Sequence, residues 1–421
     1  LAERYVKLVL AVGQHDPAYV DAFYGPPEWQ ETAKTAERAL AEIDADAARL
    51  LQELADIKSS GSGRSGGAGG AGLGDEDELI ALRHQYLERQ LASMRARIAM
   101  LSGTTLTFDE ESRQLYDAVA PTHPDTYFEG TLGELGGLLP GKGTLIERYD
   151  AWRKEFVVPP PRLSAVFDAA INECRTRTLR HVTLPEQEAF TVEYVTNKSW
   201  SGYNWYQGNF RSLIQVNTDL PIYIDRAIDL ACHEGYPGHH VYNALLEKRL
   251  VRDRGWVESS VYALFSPQSL IAEGTANYGI EVTFSQNDRL AFERDVLFPA
   301  AGLNAARVEE YYRLQGVVDR LSYAGNEAAR RYLNGEIDRK AAADWLTRFA
   351  LMSPPRAEQR TRFMDDYRSY VINYNLGKDL VRQHVEARAG AAPDTAKRWT
   401  EFVRLLGSPR LPSGLDTSAA R

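Results

Sequence analysis

The chain has 421 residues, 44% hydrophobic and 25% charged, the balance of a folded water-soluble protein of one large domain or two to three ordinary ones. Its net charge of −9 argues against nucleic acid as a main partner, because phosphate binding wants a basic surface. No apolar run approaches the ~20 residues needed to span a membrane. The two cysteines, Cys174 and Cys232, are too few for a disulfide scaffold and point to a reducing compartment. Leu1-Ala2-Glu3-Arg4 lacks the apolar core and cleavage site of a secretion signal, so a cytoplasmic location is expected, while a first residue other than Met leaves room for a removed leader.

The first third reads as helix. Leu40, Ile43, Ala47, Leu50, Leu54 and Ile57 recur every three or four residues and mark one buried stripe. Leu79, Leu82, Tyr86, Met94, Ile98 and Leu101 mark a second. Residues 59–74 between them are almost entirely glycine, serine and alanine, a flexible linker joining an antiparallel helix pair. Glycine density from Gly130 to Gly143, with Pro140, predicts a loop. Leu145 to Phe156 and Ala165 to Arg180 predict short helices. Phe190 to Val195 and Arg211 to Asn217 alternate like strands on either side of an aromatic stretch, Trp200 to Gly208, and predict a small antiparallel sheet. A helix over Ile222 to Leu230 leads into a histidine cluster, another over Val241 to Val251 leaves it, and the rest reads as helices with a break at Pro354-Pro355. The expected fold is mainly α: a helical N-terminal region (1–185), a catalytic region (186–407) with the sheet beside its metal-binding helix, and a frayed tail (408–421).

The cluster is His233-Glu234-Gly235-Tyr236-Pro237-Gly238-His239-His240, which holds three of the eight histidines. Neutral imidazoles bind zinc well, and a carboxylate beside the metal can take a proton from water. The nearest standard pattern is His-Glu-x-x-His on one helix face. Here the second histidine comes at plus six, which a straight helix would turn roughly 120° away. Pro237 disfavours a regular helix and Gly238 adds freedom, so Pro-Gly reads as a two-residue insertion that bulges the helix and returns His239 to the plus-four place. His233 and His239 are the expected ligands, with His240 as rival for the second. Cys232 abuts the cluster but reads as packing, since neighbouring side chains on a helix diverge by about 100°. The other histidines, His15, His84, His123, His181 and His384, read as packed or solvated.

A His2Glu zinc site takes a carboxylate as third ligand and leaves the fourth position to water. Glu273 stands among small and apolar residues in Ser269-Leu270-Ile271-Ala272-Glu273-Gly274-Thr275-Ala276, where a lone carboxylate is costly unless paired or metal-bound. Glu258 and Glu281 lie in more polar settings.

The His-Glu-x-x-Pro-Gly-His-His signature followed by Ala-Glu-Gly resembles the large bacterial family called domain of unknown function 885, whose members are similar in fold to thermostable metallocarboxypeptidases of the gluzincin group. The matching motifs fall between about residues 190 and 380. The resemblance implies a mostly helical protein with a deep groove. It implies His233 and His239 as ligands, Glu234 as general base and Glu273 as third ligand. Tyr374-Asn375-Leu376-Gly377 is similar to the family's Tyr-x-x-Gly element, whereas the family's glutamine after the histidines is absent and Asn243 stands in that neighbourhood.

The leading expectation is a zinc-dependent, carboxypeptidase-like metallopeptidase with one Zn2+ per chain, acting on a peptide or small amide. Glu234 would assist attack by water on the metal, and Tyr374 would steady the oxyanion. Tyr203, Tyr370, Arg211 and Arg368 are the candidate substrate-binding residues, the arginines because guanidinium grips carboxylate in a two-point fork. The rival readings are a metallohydrolase of non-peptide amides or esters and a non-catalytic binding protein with a vestigial site.

Overall fold

The computed structural model describes residues 1–61, 75–390 and 395–415. The expected linker lies, from residue 62 onward, outside the described residues, as does the tail from 416. The two apolar stripes of the first third form helices Leu40–Gly61 and Asp75–Leu101. They run antiparallel: Asp44 pairs with Arg95 at 2.7 Å near one end, and the Leu54 carbonyl meets His84 Nε2 at 2.9 Å towards the other. Ile43, Ala47, Leu50 and Leu54 are buried, while Ile57 is exposed.

The structure is mainly α-helical, and among the described residues the strands form two small sheets. Strands β1 (Val20–Phe23) and, far along the chain, β5 (Val261–Ala263) pair antiparallel. Strands β2 (Ala189–Val195), β3 (Gly202–Gly208) and β4 (Arg211–Asn217) form the other, in the order β2-β4-β3. The β3–β4 pair is antiparallel as expected, whereas β2 joins β4 in parallel. β3 is therefore an outer strand. Among the described residues no helix is long and apolar enough to cross a membrane.

Two stretches differ from expectation. The glycine-rich segment from Gly130 begins within a helix, Asp125–Leu138, instead of a loop. Its Phe128 and Leu135 are fully buried, and Phe128 packs edge-on to Trp345 at 6.4 Å, so tertiary packing overrides the low helix propensity of glycine. The segment from Ser408 is docked rather than frayed: Leu411 and Leu415 are buried and Arg410 pairs with Glu78. One apolar core takes residues from both sides of position 185, from Tyr5 to Leu415.

The helix Pro267–Thr283, which carries Glu273, is the hub of that core. Its small residues admit close neighbours. The helix Ile372–Ala389 crosses it backbone to backbone: a Cβ on Gly274 would lie 2.5 Å from the Gly377 carbonyl, and one on Gly377 would lie 2.7 Å from the Leu270 oxygen. One turn further along the hub helix, a Cβ on Gly279 would lie 3.0 Å from the Pro237 ring. The glycine of Tyr-x-x-Gly is thus an approach residue that brings Tyr370 and Tyr374 alongside Glu273. Gly377→Ala should force the helices apart and destabilise the fold by roughly 1–3 kcal/mol. Gly316→Ala, in a helix with open space around it, should be neutral or stabilising. Thermal melts check this, and equal melting temperatures for the two variants would refute the close-approach role.

Candidate metal centre and cavity

His233 sits in a single π-helical turn, Ala231–Gly235, that continues the helix Asp225–Leu230. The chain leaves through Tyr236, a cis Tyr236–Pro237 peptide and Gly238, and resumes as helix at His239. Gly238 makes the reversal feasible. Its N–H donates to the Cys232 carbonyl at 2.9 Å, and a Cβ there would lie 1.9 Å from the His233 oxygen. The Pro-Gly insert therefore ends one helix and starts another, where a bulge was expected. The result brings His233 Nε2 and His239 Nε2 within 3.1 Å.

Glu273 Oε2 lies 3.1 Å from His233 Nε2 and 3.7 Å from His239 Nε2. This oxygen is buried and makes no well-directed hydrogen bond, while Oε1 accepts one from the Tyr370 hydroxyl at 2.8 Å. Glu234 faces the same point, and ligand atoms of His233, Glu234 and His239 all lie within 4.8 Å of one another. Two imidazole nitrogens and an orphaned carboxylate oxygen thus share one focus. That donor set fits zinc, with room for a second carboxylate beside it. His233 Nδ1 lies 3.2 Å from Asn277 Oδ1, and Asn277 in turn donates to the Tyr374 carbonyl at 3.2 Å. An Nδ1–H bonded to Asn277 leaves Nε2 free to ligate.

The electrostatics favour a cation at the focus. Burial opposes a charge on His239, but Glu273, then Glu234 and Asp21, raise its pKa to about 9. Burial likewise opposes charge on Glu273, yet His233 and His239 hold its carboxyl well below the usual range. Asp21, from β1, lines the same cavity; burial pushes its carboxyl up to about 6, and the Tyr203 hydroxyl donates to it. Asp21 and Asn277 were missed in the sequence. The first had no signal, being brought in by a strand pairing. The second stands one turn after Glu273, a spacing that could have singled it out.

His240 does not join the centre. It is fully buried, with Nδ1 2.9 Å from Ser212 Oγ and Nε2 3.0 Å from Glu188 Oε2, and it ties its helix to β4. One residue's rotation along the helix turns it away from His239. Cys232 packs against Cys174, Sγ to Sγ 2.7 Å, both buried. Tyr370 lines the cavity, and its hydroxyl is committed to Glu273 Oε1. Arg368 is taken up by buried Glu111 at 2.7 Å, and Arg211 is exposed at the start of β4, so neither lies on the cavity wall. Tyr203 does, though its hydroxyl is committed to Asp21. Tyr374 also lines the cavity, and among the described residues its hydroxyl makes no hydrogen bond. Of the rival carboxylates, Glu258 is buried against Arg83, and Glu281 pairs with Lys378 at 2.7 Å and with Arg382. The cavity holds about 850 Å³ and takes in Ser199 to Asn204, including the first half of outer strand β3.

No family model and no curated protein matches the chain. Among solved structures it is similar to a candidate lipoprotein from Colwellia psychrerythraea, with a TM-score of 0.49 and 17% identity over 82% of this chain and 62% of that one. It is also similar to a candidate lipoprotein of unknown function from Shewanella oneidensis, with a TM-score of 0.40 and 13% identity over 90% of this chain and 76% of that one. The chain spans less than two thirds of the length of the first.

Metal analysis of purified variants checks the ligand assignment. His233→Ala, His239→Ala and Glu273→Gln should each lose zinc, and Asn277→Ala should weaken it by roughly 10- to 100-fold. His240→Gln should keep one zinc per chain while lowering the melting temperature. Loss of zinc from the His240 variant with retention in the His239 variant would reverse the assignment.

Proposed function

We propose that the protein is a zinc-dependent hydrolase of peptide bonds, a carboxypeptidase-like metallopeptidase, in line with its motif resemblance to the domain of unknown function 885 family. One observation carries the reading: His233, His239 and Glu273 converge on a point that a second carboxylate, Glu234, also faces, inside a cavity large enough for a short peptide. Zinc held there would supply a Lewis acid and bring the pKa of a bound water toward ~7.

This chain's residues then divide the remaining work. Glu234 takes the proton of the attacking water and passes it to the leaving amine. Only 4% of its surface is exposed, Asn204 Nδ2 holds its backbone carbonyl at 2.7 Å, and its carboxylate packs against Gly202 of β3, where a Cβ would lie 2.9 Å from Oε1. Among the described residues Tyr367 and Tyr374 are the cavity tyrosines whose hydroxyls make no hydrogen bond, and Tyr374, whose neighbour Tyr370 holds Glu273, donates to the oxyanion as the carbonyl becomes tetrahedral. Tyr370 keeps Glu273 aimed at the focus. The same machinery would serve non-peptide amides or esters. Peptide is favoured because β3 is an outer strand with Gly202 to Asn204 on the cavity wall, an edge that can offer hydrogen bonds to an extended backbone.

Glu234→Gln should abolish peptide hydrolysis with zinc retained, because an amide fills the space but cannot accept the proton. Tyr374→Phe should lower kcat roughly ten- to a thousandfold with unchanged zinc content. Turnover on a short-peptide panel, read beside metal content, checks both. Full turnover by the Glu234 variant would overturn the mechanism.

A further inference from the structure

The chain has two cysteines in 421 residues, and they meet. Cys174 stands on the helix Leu163–Thr178, and Cys232 in the π turn 58 residues further on. Both side chains are fully buried, with their sulfurs 2.7 Å apart. A fully buried residue touches about 6–12 others, so in a chain of 421 residues chance alone would bring one given pair together about 1–3% of the time. A disulfide bond needs a sulfur separation of about 2.05 Å. Thiols already side by side on two packed elements can be joined without rearranging either element.

Cys232 is also the residue on which both candidate histidines depend. His233 follows it in sequence, and its carbonyl accepts the Gly238 N–H at 2.9 Å, the bond that closes the reversal before His239. A cross-link from its sulfur to the helix Leu163–Thr178 would hold both ligands from behind. It would also close an excursion of 58 residues that contains the three-stranded sheet and the helix Asp225–Leu230. Closing a loop of that size removes freedom from the unfolded chain and so favours the folded one.

We propose that Cys174 and Cys232 are joined by a disulfide when the chain folds under oxidising conditions, and that this bond braces the turn that carries the candidate ligands. Both S–H bonds break and one S–S bond forms. The two electrons and two protons pass to a low-molecular-weight disulfide such as oxidised glutathione, which leaves as two thiols. The exchange takes place during folding. Once the chain is folded neither sulfur is exposed, so oxidant and reductant are both shut out. The bond is thus a lasting brace and not a rapid switch. It bears on the ligand assignment and is independent of the hydrolase reading.

The full chain is prepared twice, once exported to an oxidising bacterial periplasm and once from a reducing cytoplasm, and each preparation is loaded with zinc. A portion of each is denatured and alkylated for mass measurement. The oxidising preparation should take up no alkyl group, weigh two hydrogens less, and yield one joined pair of peptides holding Cys174 and Cys232. The reducing preparation should take up two alkyl groups. Kept folded, the oxidised form should melt roughly 3–8 °C higher than the reduced form. It should also lose zinc to EDTA at least about threefold more slowly, since the ligand turn opens less often. Two alkyl groups on the oxidising preparation, or a foreign thiol attached to either cysteine, would overturn the disulfide. Equal melting and equal zinc loss in the two forms would overturn the brace. Cys174→Ser should behave alike in both preparations, and a difference as large as that of the unsubstituted chain would also overturn the brace. The two unsubstituted forms suffice by themselves if the serine variant fails to fold. A disulfide in a chain that binds no zinc in either form would sink the ligand assignment and leave the cross-link standing.

Discussion

Burying the Glu273 carboxylate beside two imidazoles, with Glu234 facing the same point and Asp21 behind, concentrates negative charge where water cannot screen it. Such a cluster is costly unless a cation neutralises it. The pull of these carboxylates is visible at His239, whose pKa they raise to about 9 against the effect of burial. A divalent ion would neutralise them and also satisfy the orphaned Oε2 of Glu273. The elements that converge here, β1, the π turn, the hub helix and the tyrosine helix, are drawn from all along the chain, and their packing makes sense as a means of holding this one focus.

That packing depends on small residues. Gly238 lets the chain double back so that His239 meets His233, Gly279 makes room for the Pro237 ring, and Gly274 and Gly377 let two helices touch backbone to backbone. The last contact sets the distance from Glu273 to Tyr370 and Tyr374. The Glu273 carboxylate is therefore aimed by a tyrosine whose own place is fixed by a glycine seven residues further on. The apparently idle His240 adds to the rigidity, since its bonds to Ser212 and Glu188 clamp the second histidine helix to the sheet.

How much of this could be read from residues alone followed the range of the interactions. The mainly helical class, the strands near 190–217 and the His233–Glu234–His239 grouping rest on local pattern, and the apolar surroundings of Glu273 mark it as unusual in one line of sequence. Side-chain direction at element ends and pairings between distant segments are not local. Arg368 and Arg360 are two helical turns apart. Arg368 stands at the helix terminus with φ 52° and turns to Glu111, whereas Arg360 faces the cavity, a distinction no composition rule makes. Asp21 enters through a pairing of residues some 240 positions apart, and the glycine-rich helix Asp125–Leu138 exists because Phe128 and Leu135 find a core. His240 and His239 are adjacent in sequence, yet one faces Ser212 and Glu188 and the other His233 and Glu273, which only the course of the Pro-Gly reversal decides.

The central claim is the ligand set, and zinc-edge X-ray absorption of the zinc-loaded chain tests it most directly. The account predicts a four-coordinate ion with only nitrogen and oxygen neighbours at about 2.0–2.2 Å and the multiple-scattering pattern of two imidazoles. A sulfur shell near about 2.3 Å would bring Cys232 into the site and contradict it, as would a spectrum with one imidazole or none.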